Sequence, residues 1–232
     1  MTDFLNTSSV WGAVITIGAF ALGTLLHRKT KAPWCNPLLL GSVFVIVLLS
    51  ALKIPYPDYK QSASPLTCLL FPATVSLAIP LYEQWELLKK NLAAILAGIM
   101  AGVLTSVVSI ALICLVFQLD AASAVSLLPK SVTTAIGVDV ATELGGIPAL
   151  TTAVIILTGI IGNLMAAGAC KLLRLTNPIA RGIAIGTSSH AIGTAKALEM
   201  GPVEGAMSSL SIAVAGILTA VLCPLAGTIL FG

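Results

Sequence analysis

Charged residues divide this chain into long uninterrupted apolar runs. Most of the runs end at a charged cluster, such as residues 27–31 or residues 83–90. A transmembrane helix needs about 20 apolar residues to cross the hydrocarbon core of a bilayer. Six runs meet that length and are predicted to span the membrane: residues 4–26, 32–52, 61–82, 91–119, 144–170 and 205–232.

The third run contains two prolines, Pro72 and Pro80. Proline removes a backbone donor, and its ring clashes with the preceding helical turn. The sequence therefore predicts a kinked or broken helix in residues 61–82. Trp85 follows this run, at a position that suits the headgroup boundary.

Two shorter uncharged runs lie among the later spans. One has eight residues between Lys130 and Asp139, and the other has fourteen residues between Arg181 and Lys196. Neither crosses a bilayer unaided, yet both are too apolar and too rich in helix formers for ordinary loops. Irregular backbone at membrane depth is tolerated only where protein shields it. We therefore expect an all-α integral membrane protein with about six transmembrane helices and two re-entrant or broken helices.

The two short runs belong to an internal repeat. Residues 131–145 match residues 187–201 at a constant offset of 56 positions. Six pairs are identical: Ala135/Ala191, Ile136/Ile192, Gly137/Gly193, Ala141/Ala197, Glu143/Glu199 and Gly145/Gly201. Because one identical pair is charged, we interpret the match as a repeat. Coincidence in a composition rich in alanine, glycine and isoleucine is the alternative.

The basic residues predict how the repeat is oriented. Cytoplasmic loops are enriched in lysine and arginine, and eight of the twelve basic residues follow the first, third and fifth spans. This count places the N-terminus outside the cell, provided that residues 121–143 enter and leave the membrane on the outer face. Each repeat unit then makes one net crossing, so the two units form an inverted repeat, as in many secondary transporters.

We expect a single transmembrane domain over residues 1–232. Residues 1–60 would hold the N-terminal helices, and residues 61–120 the kinked span and the fourth span. Residues 121–178 would form repeat unit A, and residues 179–232 repeat unit B.

Composition supports the membrane class and excludes several others. The chain is 57% hydrophobic and 9% charged, whereas soluble domains have about 25% charged residues. The net charge of +3 is small and scattered, which gives no indication of nucleic-acid binding. The five cysteines show neither metal-ligand spacing nor a disulfide framework. We interpret them as small core residues, and we expect no metal and no cofactor.

The second short run predicts a half-helix that begins near the bilayer centre. Residues 190–200 would form a helix about 16 Å long, roughly half of the ~30 Å hydrocarbon core. Hydroxyl residues precede it, where N-caps are favoured, and Gly201 follows it, where a terminal glycine is favoured. The free N–H groups and the positive end of the helix dipole would then face the membrane centre and attract an anion.

Two such helix ends, entering from opposite faces, would form a site for a small carboxylate. The candidate substrate-binding residues are Ser131, Thr133, Thr134, Gly137, Asn163, Thr187, Ser188, Ser189, His190 and Gly193. The alternative for the hydroxyls is helix packing, in which serine, threonine, glycine and alanine are common within membranes. Asn163 could equally serve only to join two helices.

Titratable residues of the same runs are candidates for coupling transport to protons. Ionisable residues inside membranes are often functional, and histidine titrates at about pH 6.5, so His190 is the first candidate. A structural histidine bonded to a carbonyl is the alternative. Asp139 and Lys196 align one position apart in the repeat and could form a charge pair. Glu143 and Glu199 would lie near helix ends at the headgroups, as coupling residues or as boundary markers.

Several segments resemble the LrgB/CidB family. They are residues 71–82, 130–134, 146–148 and 204–210 and, most specifically, residues 180–195, Ala-Arg-Gly-Ile-Ala-Ile-Gly-Thr-Ser-Ser-His-Ala-Ile-Gly-Thr-Ala. The family commonly has proline after its Thr-Thr pair, where this chain has Ala135. A break in the first motif therefore has less support than a break in the second.

The resemblance covers most of the chain and implies two kinds of function. Bacterial members are described as antiholin-like proteins that modulate murein hydrolase activity and lysis beside a small LrgA/CidA partner. Relatives in plant plastids resemble glycolate/glycerate carriers, and some bacterial pairs resemble pyruvate transport systems.

From the anion site and from what the resemblance implies, we expect a bacterial plasma-membrane transporter of small 2-oxo or 2-hydroxy monocarboxylates, proton-coupled and working with an LrgA-like partner. A homo-oligomer is also expected. The alternative is an antiholin-like regulator of murein hydrolase activity, autolysis and programmed cell death that acts through a holin-like partner. An intramembrane hydrolase is not favoured, because the chain has no GxSxG elbow and no HExxH motif.

Overall fold

The computed structural model describes residues 10–30 and 36–231. Within these residues every regular element is an α-helix, which confirms the predicted all-α fold class. The chain divides into two compact units, Met1–Ser76 and Leu77–Gly232. The predicted spans at residues 4–26 and 32–52 begin in segments outside the described residues.

The first unit is built around two apolar helices. Its helices are α1 (Trp11–Thr30), α2 (Pro37–Leu52), α3 (Tyr56–Ser62), α4 (Ser64–Cys68) and α5 (Leu70–Ser76). The Asn36 side chain caps α2 by accepting hydrogen bonds from the N–H groups of Leu38 and Leu39, at 2.8 and 3.3 Å. Gly23 lets α1 approach the start of α2, because a Cβ there would lie 2.7 Å from the Pro37 carbonyl oxygen.

The second unit contains both copies of the repeat. Its helices are α6 (Ala78–Glu83), α7 (Trp85–Val116), α8 (Ala121–Leu127), α9 (Thr134–Glu143), α10 (Pro148–Leu172), α11 (Pro178–Met200) and α12 (Pro202–Phe231). The core lies between α7 and α12. Ile95, Ile99, Val103 and Val107 form a stripe at four-residue spacing on α7 and share one buried cluster with Met207 of α12.

The apolar helices match most of the predicted spans. Among the described residues, five stretches have the length and hydropathy to cross a membrane: Trp11–Thr30, Ser64–Glu83, Trp85–Val116, Pro148–Leu172 and Pro202–Phe231. Pro37–Leu52 is apolar but has 16 described residues. The run from Ser64 to Glu83 is interrupted at Leu69 and Leu77, which confirms the break predicted from its prolines.

The helix α11 is a hairpin rather than a straight rod. His190 interrupts it with φ 42° and ψ −142°, a positive φ that is uncommon for a non-glycine residue. Before this break, Gly182 packs on Glu204 and Gly186 packs on Ser208. Residue numbers rise together in α11 and α12, so this half runs parallel to α12.

After the break at His190, α11 runs in the opposite direction relative to α12. The Thr194 hydroxyl lies 2.7 Å from the Ser208 hydroxyl, and Leu198 packs against Gly205. Residue numbers now rise in α11 as they fall in α12, so this half runs antiparallel to α12. Residues 178–200 therefore enter the unit, turn at His190 and return, which confirms the re-entrant segment predicted there. We name residues 178–200 the second hairpin.

The first copy of the repeat forms a similar hairpin from α8, the non-helical residues 128–133 and α9, and we name residues 121–143 the first hairpin. The Ser126 hydroxyl, in α8, accepts a 2.6 Å hydrogen bond from the Ile147 N–H at the start of α10. At the other end of the hairpin, the Ala141 carbonyl accepts a 2.7 Å bond from the Gly146 N–H. Asp120 caps α8, and hydrogen bonds from Ser123 hold the pKa of this exposed carboxyl below its ordinary value.

The two hairpins enter the second unit from opposite ends. The Arg181 guanidinium, at the base of the second hairpin, donates to the Leu175 carbonyl just beyond the end of α10. The base of the first hairpin lies instead at the start of α10, and Leu144, which directly follows this hairpin, packs against Gly227 near the end of α12. Since α10 and α12 each have one hairpin base at either end, the arrangement is the inverted repeat that the sequence predicts.

Candidate functional site

The tips of the two hairpins approach each other along the middle of α7. Gly102 packs against Thr187 of the second hairpin. One turn further along α7, the Ser106 hydroxyl lies 3.0 Å from the Ser131 hydroxyl of the first hairpin. A Cβ on residue 102 would lie 2.9 Å from the Thr187 hydroxyl oxygen, so glycine is what permits this approach. The middle of α7 therefore holds both tips within about one helical turn of each other.

A cavity of about 430 Å³ lies where the tips meet α7. Small-molecule sites commonly have volumes of roughly 300–1,000 Å³. The residues that line it are Ala101, Gly102, Thr105, Ser106, Ser109, Lys130, Ser131, Ala184, Thr187 and Ser188. Six of these carry hydroxyls, one is basic and none is acidic. The lining is therefore suited to a small anion.

The basic group of this cavity is Lys130. Its ammonium donates a 3.0 Å hydrogen bond to the Ser131 hydroxyl, which also contacts Ser106. In the sequence, Lys130 bounds a short apolar run and begins one of the segments that resemble the LrgB/CidB family. Its signal was its position directly before the Ser-Val-Thr-Thr motif, in a segment predicted to enter the membrane. An ionisable residue in such a segment is often functional.

The tip of the second hairpin is fixed against the middle of α10. The buried His190 ring contacts Gly159, and its Nε2 donates to the Ile155 carbonyl over 3.0 Å. The Asn163 amide donates to the Ile192 carbonyl over 2.8 Å. His190 and Asn163 thus bind backbone carbonyls, and neither lines the cavity. The Ile155 carbonyl lies in α10 and the Ile192 carbonyl lies just after the break in the second hairpin. The two side chains thus join α10 to the tip of the second hairpin.

The first hairpin makes a related contact on the other long helix. Ile136 packs on Gly216 near the middle of α12, as Ile192 packs on Gly159 near the middle of α10. These isoleucines are 56 positions apart, the offset of the repeat. Each tip therefore rests on a glycine of the long helix that belongs to the other repeat unit.

The sequence is similar to a known protein family over most of its length. The model of the LrgB-like family matches residues 16–229. The chain belongs to the LrgB-like family. A protein of Bacillus mycoides (strain KBAB4) named antiholin-like protein LrgB is 37% identical over 216 residues, which cover 93% of this chain and 94% of the relative. Proteins of the same name in Bacillus cereus (strain B4264) and Bacillus anthracis (strain CDC 684 / NRRL 3495) are similar to the same extent. No solved structure matches.

In this LrgB-like chain the predicted hydroxyls are divided between two environments. Ser131, Thr187 and Ser188 line the cavity. The buried Ser189 instead packs on Gly162, and its hydroxyl lies 2.9 Å from that of Ser188. Thr133 and Thr134 lie half-buried at the start of α9, outside the cavity lining.

The hydroxyls do not serve as the helix caps that the sequence predicts. Thr133 has the extended backbone of an N-cap but makes no side-chain cap bond. Thr187 donates to the Ile183 carbonyl at 2.7 Å, and Ser188 donates to the Ile185 carbonyl at 3.3 Å. The first half of the second hairpin continues through these residues, so the carbonyls of the preceding turn are the nearest acceptors.

The two predicted glycines are packing positions. A Cβ on Gly137 would collide with Ile155, and one on Gly193 would collide with Ser189 and lie 3.2 Å from the Ile185 side chain. Both glycines are buried. They allow the two arms of each hairpin, and the neighbouring long helix, to approach closely.

The predicted charge pair is corrected. Lys196 pairs with Glu199 at 2.8 Å instead of with Asp139, because residues three apart lie on the same face of a helix. Asp139 is exposed and forms no ion pair among the described residues. Glu143 and Glu199 lie exposed at the ends of their half-helices, which agrees with the boundary interpretation.

A further ion pair of this LrgB-like protein lies at the base of the second hairpin. The Glu204 carboxylate is buried, with its side chain 8% exposed, and lies 3.6 Å from the Arg181 guanidinium. In the sequence, both residues lie in segments that resemble the LrgB/CidB family, and Arg181 also bounds the second short run. The available signal was Glu204 itself, an acidic residue at the start of a long apolar run.

Proposed function

We propose that this LrgB-like protein carries small 2-oxo or 2-hydroxy monocarboxylates, similar to pyruvate or glycolate, across the bacterial plasma membrane. The cavity between the two hairpin tips is the observation that supports this function. It combines one ammonium group, six hydroxyls and no acidic side chain at the middle of a membrane-spanning unit. A charged residue inside a membrane is costly and is commonly functional, which favours a substrate-binding role for Lys130.

The lining supplies what a short carboxylate with an adjacent oxygen requires. Lys130 provides the opposite charge for the carboxylate. The hydroxyls of Ser106, Ser131 and Ser188 donate or accept hydrogen bonds, so they can bind a keto or hydroxyl oxygen equally well. Thr105, Ser109 and Thr187 add further hydroxyls, and Ala101, Gly102 and Ala184 form the apolar part of the wall.

The inverted hairpins supply a route to alternating access. In secondary transporters, discontinuous helices from inverted repeats meet at the substrate site near the membrane centre. Here each tip contacts a long helix of the other repeat. A movement of one hairpin opens the cavity toward one side, and the equivalent movement of the other hairpin opens it toward the opposite side.

We further propose that the N-terminus is outside the cell and that the protein acts as a homo-oligomer beside an LrgA-like small membrane protein. The positive-inside count supports the orientation, and the family resemblance supports the LrgA-like partner. Proton coupling through His190 belongs to the same proposal. His190 does not line the cavity, so coupling would act through the position of the second hairpin tip.

A second function, antiholin-like regulation of murein hydrolase activity and autolysis through a holin-like partner, is favoured by a different observation. The similar proteins of Bacillus species carry the name antiholin-like protein LrgB. These names support regulation more directly than transport. The two functions are compatible if carboxylate flux alters the energisation of the membrane.

Reconstitution tests the proposal. Purified protein in liposomes, with and without the LrgA-like protein, should take up radiolabelled pyruvate or glycolate. Lys130→Gln should reduce uptake about tenfold, because the loss of one hydrogen bond to a charged group costs about 1.5–3 kcal/mol. Lys196→Gln, on the second hairpin but outside the cavity, is the matched control and should retain uptake. If the wild type moves no monocarboxylate with the partner present, transport is wrong and the antiholin function takes its place.

A further inference from the structure

A second cavity, of about 630 Å³, lies where α10 ends and α11 begins. It shares no lining residue with the cavity between the hairpin tips. Three basic side chains line it: Lys171 near the end of α10, Arg174 just beyond that end, and Arg181 in the first turn of α11. No acidic residue lies among its described lining residues.

One of the three cations already has structural partners. The Arg181 guanidinium donates to the Leu175 carbonyl over 2.7 Å and lies 3.6 Å from the Glu204 carboxylate. Lys171 and Arg174 are exposed and form no ion pair among the described residues. The cavity therefore has two uncompensated cations beside a third that is fixed in place.

The rest of the wall is largely apolar. Ala167, Cys170, Leu175 and Met200 line it, and Thr176 adds one hydroxyl. The basic groups lie at the end of a 25-residue apolar helix, which is the depth at which a membrane protein meets lipid headgroups. A ligand with a phosphate at one end and an apolar body at the other fits this division.

We propose that this cavity binds a phosphate-bearing group, with the headgroup of an anionic phospholipid as its principal source. Arginine recognises phosphate oxygens through its planar fork, and lysine adds a point charge. Basic clusters at membrane-helix ends attract anionic lipids for the same reason. The apolar wall would receive the glycerol and the first carbons of the acyl chains.

Binding here would also affect the second hairpin. Arg181 lies in the first half of that hairpin and Met200 ends its second half, so the cavity touches both arms at their base. A phosphate held between Arg174 and Arg181 would link the end of α10 to the hairpin. The lipid would thereby stabilise the base around which the hairpin tip is positioned.

The experiment uses the purified full-length protein in detergent. Its thermal unfolding is followed while phosphatidylglycerol, phosphatidylcholine or inorganic phosphate is added. We expect phosphatidylglycerol to raise the unfolding temperature and phosphatidylcholine to leave it unchanged. Lys171→Gln and Arg174→Gln should each weaken the apparent affinity about fivefold. Lys90→Gln, an exposed basic residue of α7 outside the cavity, is the matched control.

A charge-retaining pair, Lys171→Arg and Arg174→Lys, should keep most of the response. A shift with inorganic phosphate that shows the same dependence on Lys171 and Arg174 supports the phosphate site and identifies a free anion as its source. The proposal is overturned if neither phosphatidylglycerol nor inorganic phosphate stabilises the wild type. It is also overturned if phosphatidylglycerol stabilises both glutamine variants as well as it stabilises the control.

Discussion

The hydroxyl of Ser131 lies 3.0 Å from the hydroxyl of Ser106, and this contact joins the tip of the first hairpin to the middle of α7. Ser131 is buried and also accepts a hydrogen bond from Lys130. A short hydrogen-bonded chain thus runs from the ammonium group through Ser131 to α7. It fixes the only basic group that lines the cavity, among the described residues.

This relationship predicts an energetic coupling between the two serines. Ser106→Ala and Ser131→Ala should each destabilise the protein by about 1 kcal/mol, because each removes the hydrogen bond between the buried Ser131 hydroxyl and the half-buried Ser106 hydroxyl. The double variant should cost less than the sum, with a coupling of about 0.5–1 kcal/mol. Unfolding in detergent measures all four proteins. Thr105→Val, which lines the same cavity but whose hydroxyl donates within α7, should show no coupling to Ser131→Ala.

The ion pair at the base of the second hairpin predicts an asymmetric pair of variants. Arg181→Met leaves the Glu204 carboxylate buried and uncompensated, whereas Glu204→Gln leaves Arg181, whose side chain is 32% exposed, able to reach water. Breaking a fully buried pair costs about 3–5 kcal/mol, so partial exposure suggests about 2 kcal/mol for Arg181→Met. Glu204→Gln should cost less.

The double variant Arg181→Met with Glu204→Gln should recover part of the loss from Arg181→Met, as measured by thermal unfolding. Equal losses from the two single variants would mean that Glu204 is not the more buried partner. Lys89→Met, which breaks the exposed pair of Lys89 with Glu86, is the control and should have little effect.

The backbone at the break predicts an unusual order of stability at residue 190. His190 has φ 42°, where glycine is unstrained and a residue with a Cβ is not. His190→Gly and His190→Ala both lose the hydrogen bond to Ile155, so their difference isolates the backbone. The glycine variant should be more stable by about 1 kcal/mol. An alanine variant as stable as the glycine variant would show that residue 190 does not adopt a positive φ.

Much of the fold follows from the sequence for identifiable reasons. Long uncharged runs need a membrane, so the helices of Pro148–Leu172 and Pro202–Phe231 were predictable from their length alone. The run that contains His190 is too short to cross between charges and too apolar for a loop, which predicts the second hairpin. The repeat offset then predicts the first hairpin and the inverted arrangement.

The detailed chemistry of the site was less predictable, because side-chain direction depends on packing. The sequence shows that Thr187 and Ser188 lie near a helix break, but not that their hydroxyls bond to the carbonyls before it. Lys196 aligns with Asp139 in the repeat, yet Glu199 lies three positions away on the same helix and forms the pair. The role of Lys130 depends on α7, which has no part in the repeat.

The opposite entry of the hairpins predicts a labelling pattern. Single cysteines are introduced at Ala121, at the base of the first hairpin, and at Thr176, beside the base of the second, after replacing the native cysteines with alanine. Both positions are exposed. An impermeant thiol reagent added to intact cells should label the first and not the second, and inverted vesicles should give the reverse. Labelling of both positions from the same side would contradict the inverted repeat.

Replacing His190 with glutamine separates a coupling role of this residue from a structural one. Its Nε2 donates to the Ile155 carbonyl, and a glutamine at this position can supply an amide donor but cannot carry a proton. If His190 moves a proton inward with the substrate, wild-type uptake in proteoliposomes should rise as external pH falls, because the inward proton gradient increases. His190→Gln should then remain folded and bind carboxylate, while its uptake loses the dependence on pH. His27→Gln, which changes the chain's other histidine in α1, is the control and should keep the wild-type profile. A His190→Gln protein with an unchanged pH profile would mean that the bond to Ile155 is the whole role of this histidine and that any coupling proton travels elsewhere.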